Sequence, residues 1–130
     1  MGSGSTQSPM RSRILVIDDD EAILKLVSRA LRSEYDTTVE ANPANALLTL
    51  LTGAVFEMIL CDVSMPGTSG IELHAAVLAE KPETAARFVL MTGGGLSASE
   101  EQLLRSRHVH NIAKPFTPDE LRAFARDFLK

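Results

Sequence analysis

Five short apolar or β-branched runs alternate with segments of helical periodicity, and this alternation restricts the chain to few folds. The runs cover residues 14–17, 37–40, 58–61, 88–91 and 111–113. Runs one, three and four are apolar throughout, as in parallel strands that are covered on both faces. The second run is mixed and is predicted nearer an edge. The repeated alternation predicts an α/β fold, a doubly wound parallel five-stranded sheet with right-handed crossovers.

The segments between the runs carry apolar residues three or four positions apart, which predicts five amphipathic helices. They are predicted around 23–31, from Pro43 onwards, over 69–80, over 97–107 and from 117 onwards. Pro82 is expected to close the third of these helices. Thr117, Pro118 and Glu120 resemble an N-cap, a first helical residue and a capping-box partner at the start of the last helix.

The length of 130 residues suits one folded domain. The opening MGSGSTQSPM is rich in Gly and Ser and lacks the regions of a signal peptide. We interpret residues 1–12 as a tag or flexible linker and residues 13–130 as the domain. The net charge of −4 argues against nonspecific nucleic-acid binding, and no apolar run is long enough to cross a membrane.

Cys61 is the only cysteine, so an internal disulfide is impossible and a reducing cytoplasm is the expected compartment. We interpret Cys61 as a small core residue, with a reactive thiol as the alternative. His74 is expected to be exposed on the third helix, and His108 and His110 to form a surface pair.

Polar side chains follow four of the apolar runs, at the point where each predicted strand ends. Asp18 and Asp19 follow the first run, Asp62 the third, Thr92 the fourth and Lys114 the fifth. Ligands of open α/β sheets bind beyond the carboxyl ends of the strands. The sequence therefore predicts that three carboxylates, a hydroxyl and an ammonium converge at one edge of the sheet.

The chemistry of this set points to phosphoryl transfer. Three carboxylates in one crevice need a cation, and oxygen ligands without His or Cys favour Mg²⁺, with Mn²⁺ possible. Lys114 and Thr92 can bind phosphoryl oxygens, and an aspartate can itself be the nucleophile that forms an acyl phosphate. Asp20 is interpreted as a helix-start residue that only extends the acidic run.

The motifs ILVIDDDEAI, MILCDVSMPGTSGIEL, FVLMTGG and NIAKPFTPDEL, in this order, resemble the receiver domain of two-component response regulators. The resemblance runs from about Arg13 to Lys130. Asp19 and Asp62 are 43 positions apart, Asp62 and Thr92 are 30 apart, and Thr92 and Lys114 are 22 apart. No single motif is specific, but the four motifs at these spacings are.

The resemblance implies a flavodoxin-like (βα)5 fold with strand order 2-1-3-4-5. It implies that Asp62 accepts a phosphoryl group from a histidine kinase or a histidine phosphotransfer protein, and that Thr92 and Lys114 contact this group. It further matches Gly70 to the glycine before the third helix and Pro115 to a frequently cis-bonded proline. The implied protein is a signalling switch, a monomer or weak dimer, with only self-phosphorylation and self-dephosphorylation chemistry.

The same resemblance implies the metal ligands. Asp19 and Asp62 would bind Mg²⁺ directly together with the backbone carbonyl of Ser64, and Asp18 would act largely through water. No other cofactor is expected. The glycine-rich stretch 93–102 is not interpreted as a phosphate-binding P-loop, because it lacks GK[ST]. We interpret that stretch as a mobile loop beside the site.

Three positions depart from the common receiver pattern. Asn111 stands where many receivers carry Tyr or Phe. Ser64 and Gly94 occupy positions that tune self-hydrolysis in the family, and neither supplies a carboxylate or amide to orient water. We therefore expect slow to moderate dephosphorylation, which rapid decay of the isolated phosphoprotein would refute.

The parent architecture has several candidates. A C-terminal receiver from a hybrid histidine kinase, or one from a multidomain regulator, fits a chain that ends with the fifth predicted helix. A stand-alone single-domain regulator is the alternative, and a pseudo-receiver that binds partners without phosphorylation is a further one. A phosphatase of the haloacid dehalogenase type would need a second aspartate where Ser64 stands.

Overall fold

The computed structural model describes residues 11–130, which form five strands and six helices. The strands are β1 Arg13–Ile17, β2 Asp36–Glu40, β3 Met58–Asp62, β4 Phe88–Thr92 and β5 His110–Ala113. The helices are α1 Glu21–Leu31, α2 Pro43–Leu51, α3 Gly70–Glu80, α4 Pro82–Ala85, α5 Ala98–Ser106 and α6 Pro118–Phe128. Residues 1–10 of the predicted linker lie outside the described residues.

The five strands form one sheet in the order β2-β1-β3-β4-β5, and every neighbouring pair is parallel. This confirms the predicted flavodoxin-like (βα)5 fold with order 2-1-3-4-5. The mixed run lies at one edge as β2, and the short β5 lies at the other. The three apolar runs become the central strands, because only these are covered by helices on both faces.

Alternate residues of the central strands belong to two separate hydrophobic clusters. Leu15, Ile59 and Leu90 pack in the cluster that includes residues of α2, α3 and α5. Val16 and Leu60 pack in the other cluster, with residues of α1 and α6. The period-two alternation of strand side chains thus places a core on each face of the sheet.

Most helices begin at a polar side chain that accepts backbone N–H groups. The N-caps are Asp20, Asn42, Ser69, Ser97 and Thr117 for α1, α2, α3, α5 and α6. Three of them are closed by a capping box, including the predicted one at Thr117 and Glu120. Each box pairs two backbone N–H groups that would otherwise lack partners at the helix start.

The short helix α4 is an addition to the predicted elements. Pro82 was expected only to close the third helix, but it is also the first residue of a new four-residue helix. Lys81, at φ −137°, leaves the helical region and separates the two helices. Proline suits a first helical position because its missing N–H would have had no partner there. Among the described residues, no helix is long and apolar enough to cross a membrane.

The expectation for His74 is wrong. Its side chain is 3% exposed and its ring packs edge-on against Phe88, with the centroids 5.3 Å apart. Ile71, His74 and Val77 follow at intervals of three and are all buried. This histidine therefore belongs to the buried stripe of α3. It was not assigned to the stripe from the sequence because its side chain is polar. Cys61 is buried as expected, and burial raises the pKa of its thiol, so it is not a reactive thiolate.

Candidate functional site

The strand register brings the ends of four strands to the same edge of the sheet. Ile17 pairs with Cys61, so the residues that follow them, Asp18 and Asp62, lie side by side. On the other side of β3, Asp62 pairs with Met91, and Thr92 pairs with Ala113 at the end of β5. The predicted convergence of the polar residues at one edge is therefore observed.

Asp18, Asp19 and Asp62 form an acidic cluster in which one carboxylate oxygen from each lies within 4.8 Å of the others. It is the one group of three or more potential metal ligands found in residues 11–130. Asp18 and Asp62 are buried, whereas Asp19 is exposed. Two carboxylates about 4 Å apart repel by roughly 4 kcal/mol at a surface-like dielectric. The cluster therefore requires nearby positive charge.

Lys114 supplies positive charge to two members of the cluster. Its Nζ donates to Asp18 Oδ2 at 3.0 Å and to Asp62 Oδ1 at 3.1 Å. Its backbone N–H donates to the Thr92 carbonyl at 2.7 Å, and a cis peptide bond joins it to Pro115. The side chain is 22% exposed, so one face of the site remains open to solvent.

Burial and ion pairing have opposite effects on the pKa values of Asp18 and Lys114. Burial raises the pKa of Asp18, and the hydrogen bonds from the Asp20 backbone and Lys114 only partly offset this. Burial alone would lower the pKa of Lys114, but its bonds to Asp18 and Asp62 outweigh burial and raise it. Lys114 is consequently a fixed cation throughout the physiological pH range.

Asp20 is the N-cap of α1, as predicted. Its carboxylate accepts from the Ala22 N–H at 2.9 Å, and its own N–H donates to Asp18 Oδ1 at 2.9 Å. The Asp18 carboxylate is thus fixed on one side by Asp20 and on the other by Lys114. Asp20 is absent from the acidic cluster, so it shapes the site through its backbone.

Gly70 lies where the backbone after β3 folds back on itself. Its N–H donates to the Val63 carbonyl at 2.8 Å. A Cβ built on Gly70 would overlap the Asp62 carbonyl oxygen and lie 3.1 Å from Val63 Cα. Only glycine fits at this position, and the close approach holds the loop that carries Asp62.

The remaining predicted residues surround this centre. The half-buried Thr92 directs its hydroxyl to the Ile112 carbonyl, 3.5 Å away, and no hydrogen bond joins it to a carboxylate of the described residues. Ser64 is exposed and lines a cavity of about 590 Å³ with the glycine-rich residues 93–95. Asn111 is exposed on β5.

Two backbone contacts at the site were not identified from the sequence. One is the Asp20 N–H that binds Asp18, and the other is the Glu40 carbonyl, which accepts from the Asp18 N–H at 3.2 Å. A signal for the first was available, because an aspartate often accepts from the backbone N–H two residues further on. No sequence signal marks the second, because it depends on the pairing of β1 with β2.

Comparison with known proteins identifies the family. Residues 14–126 match the family model described as the response regulator receiver domain. The chain is therefore a member of that family, which confirms the resemblance drawn from its motifs. Receiver domains act with histidine kinases, and the family is a signalling phosphoacceptor rather than a conventional enzyme.

Two curated relatives show the extent of the match. The transcriptional regulatory protein ResD of Bacillus subtilis is 31% identical over 110 residues, which are 85% of this chain and 45% of ResD. The DNA-binding response regulator MtrA of Mycobacterium tuberculosis is 32% identical over 122 residues, which are 93% of this chain and 52% of MtrA. The chain thus spans about half the length of these relatives.

Solved structures support the same fold. The chemotaxis response regulator CheY4 of Vibrio cholerae is 25% identical and has a TM-score of 0.80, with 92% of this chain and all of CheY4 covered. A CheY-like receiver domain protein from Methanospirillum hungatei is 26% identical and has a TM-score of 0.81, with 92% and 94% covered.

Proposed function

We propose that this chain is a phosphorylation-controlled signalling switch that accepts a phosphoryl group on Asp62 from a histidine kinase or a histidine phosphotransfer protein. The observation that carries the proposal is the position of the Asp62 carboxylate, 3.1 Å from the Lys114 ammonium and within the acidic cluster. The side chain is 10% exposed, so it can be approached from solvent. Membership of the receiver family supports the same role.

In the proposed reaction, a carboxylate oxygen of Asp62 attacks the phosphorus of a phosphohistidine. A P–O bond forms, the P–N bond breaks, and its electron pair returns to the imidazole nitrogen. The product is an aspartyl phosphate, a mixed anhydride that water can later hydrolyse. Lys114 already contacts Asp62, so it can stabilise the negative charge of the phosphoryl oxygens without reorganisation.

We propose Mg²⁺ as the cofactor, with Mn²⁺ as a substitute. Asp18, Asp19, Asp62 and the backbone carbonyl of Ser64 would hold it, and hard oxygen donors of this kind fit these ions. The mixture of buried and exposed carboxylates also fits, because Mg²⁺ retains several water ligands. When bound, the ion neutralises carboxylate and phosphoryl charge.

Thr92 is proposed to bind a phosphoryl oxygen through its hydroxyl. Its present acceptor, the Ile112 carbonyl, is 3.5 Å away, at the limit of hydrogen bonding, so little is lost when the hydroxyl turns to a new partner. Phosphorylation would then shift the end of β4 and the adjacent glycine-rich residues 93–95. Phosphorylation of Asp62 would thereby change the conformation of exposed residues.

The parent protein is proposed to be a hybrid histidine kinase or a multidomain regulator. The exposed Asn111, in place of an aromatic residue, favours the hybrid kinase. The curated relatives favour a regulator with a second domain, because they are about twice as long. The coding sequence on either side of this segment discriminates between them. We place the domain in the reducing cytoplasm as a monomer or weak dimer.

The test is phosphorylation by phosphoramidate or acetyl phosphate with Mg²⁺, read by intact mass. Wild type is expected to gain one phosphoryl mass, which EDTA prevents. Asp62→Asn removes the nucleophile and should stay unmodified. Asp20→Asn is the matched control, because it changes a neighbouring carboxylate but retains an N-cap residue, and it should be modified like wild type.

Two outcomes contradict the proposal. If Asp62→Asn is modified to the same extent as wild type, a residue other than Asp62 accepts the phosphoryl group. A wild-type protein that binds Mg²⁺ and is never modified would instead be a pseudo-receiver, whose partners bind it without phosphorylation.

A further inference from the structure

A second cavity, of about 230 Å³, lies at the edge of the sheet opposite the acidic cluster. Phe88 and His110, the first residues of β4 and β5, line it together with His74 of α3 and Arg107 at the end of α5. A strand of five residues rises roughly 13 Å from its first to its last residue. The cavity is therefore separate from the proposed phosphoacceptor site.

Two residues that line this cavity each carry a buried nitrogen without a hydrogen-bond partner. The Nδ1 atom of His74 and an Nη atom of Arg107 are the buried side-chain polar atoms that lack a hydrogen bond in residues 11–130. Leaving one such group unpaired costs about 1–3 kcal/mol, so native proteins rarely keep two together. Neither residue takes part in the proposed phosphoryl transfer. Because both residues line the same cavity, the two unpaired nitrogens indicate a ligand.

The charge of the cavity favours an anion. His74, Arg107, His108 and His110 line it beside apolar residues, and no Asp or Glu is among the lining residues. The permanently charged Arg107 guanidinium opposes a metal cation. The His110 ring already packs edge-on against Phe128, with the centroids 5.0 Å apart. The three histidines accordingly do not form a metal site here.

The two unpaired nitrogens need different hydrogen-bond partners, one a donor and the other an acceptor. Burial, and then the charge of Arg107, lower the pKa of His74, although a hydrogen bond with the Ala85 backbone opposes this. With its pKa below the ordinary value, His74 is mainly neutral at pH 7. The bond with the Ala85 backbone is donated by a ring N–H and Nδ1 has no partner, so the proton lies on Nε2 and Nδ1 is an acceptor that needs a donor. Arg107 is donor-only and needs an acceptor. The complementary ligand carries both a negative oxygen and a hydroxyl.

We propose that this cavity binds a hydrogen phosphate group, whose charged oxygens accept from Arg107 and whose hydroxyl donates to His74 Nδ1. A carboxylate or sulfate at neutral pH offers only acceptors and leaves His74 unpaired. Both nitrogens are shielded from solvent, and Arg107 is only half-buried, so its side chain can turn to admit the ion. Inorganic phosphate keeps a hydroxyl at neutral pH, whereas a phosphomonoester is largely a dianion without one, so the expected ligand is inorganic phosphate.

The test follows the imidazole signals of the ¹⁵N-labelled protein during titration with inorganic phosphate, in EDTA at constant ionic strength. The imidazole signals of the exposed His108 and His110 are assigned by substituting each residue. The remaining imidazole signal belongs to His74. A saturable shift of the His74 Nδ1 signal is expected, with at least several-fold weaker binding of sulfate. The readout at His74 distinguishes this cavity from the acidic cluster. Glycerol phosphate, run in parallel, should bind more weakly, because its phosphate group is largely doubly ionised at pH 7 and has no acidic hydroxyl.

Arg107→Gln should weaken phosphate binding about tenfold or more, as expected for the loss of a charge-assisted hydrogen bond. Arg105→Gln is the matched control, because Arg105 is exposed on the same helix and does not line the cavity. If Arg107→Gln does not fold, Arg107→Lys, which retains charge but not the forked geometry, should weaken binding by less. An unchanged His74 signal in excess phosphate, or equal binding of sulfate, would overturn the proposal.

Discussion

The Lys114 ammonium lies 3.0 Å from Asp18 Oδ2, an ion pair between residues 96 positions apart in the sequence. It joins the end of β1 to the end of β5 across the site. Asp18 is fully buried, and two further carboxylates share the crevice with it. One ammonium therefore shares the crevice with three carboxylates, so the protein groups alone give it an excess of negative charge. This imbalance determines how substitutions at the two residues change stability.

Lys114→Gln is expected to lower the free energy of unfolding in EDTA by about 2 kcal/mol. The substitution removes both ion pairs and leaves the acidic cluster without its neighbouring cation. Urea unfolding at pH 7 measures the change. Addition of Mg²⁺ should restore part of the loss, because the proposed ion compensates the same carboxylates.

Asp18→Asn is expected to change stability in the opposite direction, with a gain of about 1 kcal/mol in EDTA. The amide removes a buried negative charge and can still accept from the Asp20 N–H. Asp36→Asn, an exposed carboxylate on β2, is the control and should be neutral within about 0.5 kcal/mol. A loss of stability in Asp18→Asn would show that the ion pair with Lys114 outweighs the repulsion.

Mg²⁺ should raise the melting temperature of the wild-type protein, because an ion that binds only the folded state stabilises it by mass action. A concentration ten times the dissociation constant gives about 1.4 kcal/mol. Asp19→Asn is expected to abolish most of this rise, and Asp20→Asn to preserve it. Differential scanning fluorimetry over a Mg²⁺ series measures both. Equal losses in the two variants would exclude Asp19 as a specific ligand.

Gly70→Ala should destabilise the protein by roughly 1–3 kcal/mol, because the new Cβ overlaps the Asp62 carbonyl and the backbone must shift. Gly93→Ala is the matched control, since no atom lies within 4 Å of a Cβ at that position. Urea unfolding compares the two variants. Because Gly70 holds the loop of Asp62, phosphorylation of Gly70→Ala should also slow. A neutral Gly70→Ala would contradict the close approach.

The buried His74 should make stability depend on pH below about 6.5, its ordinary pKa. Burial lowers the pKa in the folded state, so the unfolded chain takes up a proton that the folded protein does not. Stability is therefore present above pH 6.5 and is lost as the pH falls through the folded pKa, by at most about 1.4 kcal/mol per pH unit.

Unfolding of wild type and His74→Gln between pH 5 and pH 7.5 tests this dependence. In the variant, the free energy of unfolding should depend less steeply on pH, because the contribution of His74 is removed, whatever the absolute stability of the variant. His110→Gln, at an exposed position, should retain the contribution of His74 to the pH dependence. Identical slopes in wild type and His74→Gln would contradict burial of the neutral imidazole.

Local patterns were sufficient for most of the elements. The apolar runs 14–17, 58–61 and 88–91 indicated central strands, because a strand buried on both faces has no polar positions. Thr117 and Glu120 indicated a helix start, since a capping box involves only residues three apart. The end of α3 was predicted correctly, whereas α4 was missed, because Pro82 stops one helix and starts another.

His74 marks the limit of such reasoning. A histidine is compatible with either a core or a surface position, and only the packing of α3 against Phe88 makes it buried. The cavity beside it depends on Arg107, 33 positions further along the chain. No local pattern relates these two residues, so the unpaired nitrogens could not be predicted.

The sequence by itself determined the family and the type and order of every element except α4, because periodicity, caps and motif spacing are local properties of the chain. Only the tertiary structure decided which side chains meet. The strand register places Asp18 beside Asp62, and the parallel pairing of β4 with β5 brings Lys114 to both. The physical reason is that electrostatic energy depends on separations of a few ångströms between groups far apart in sequence, and folding alone fixes those separations.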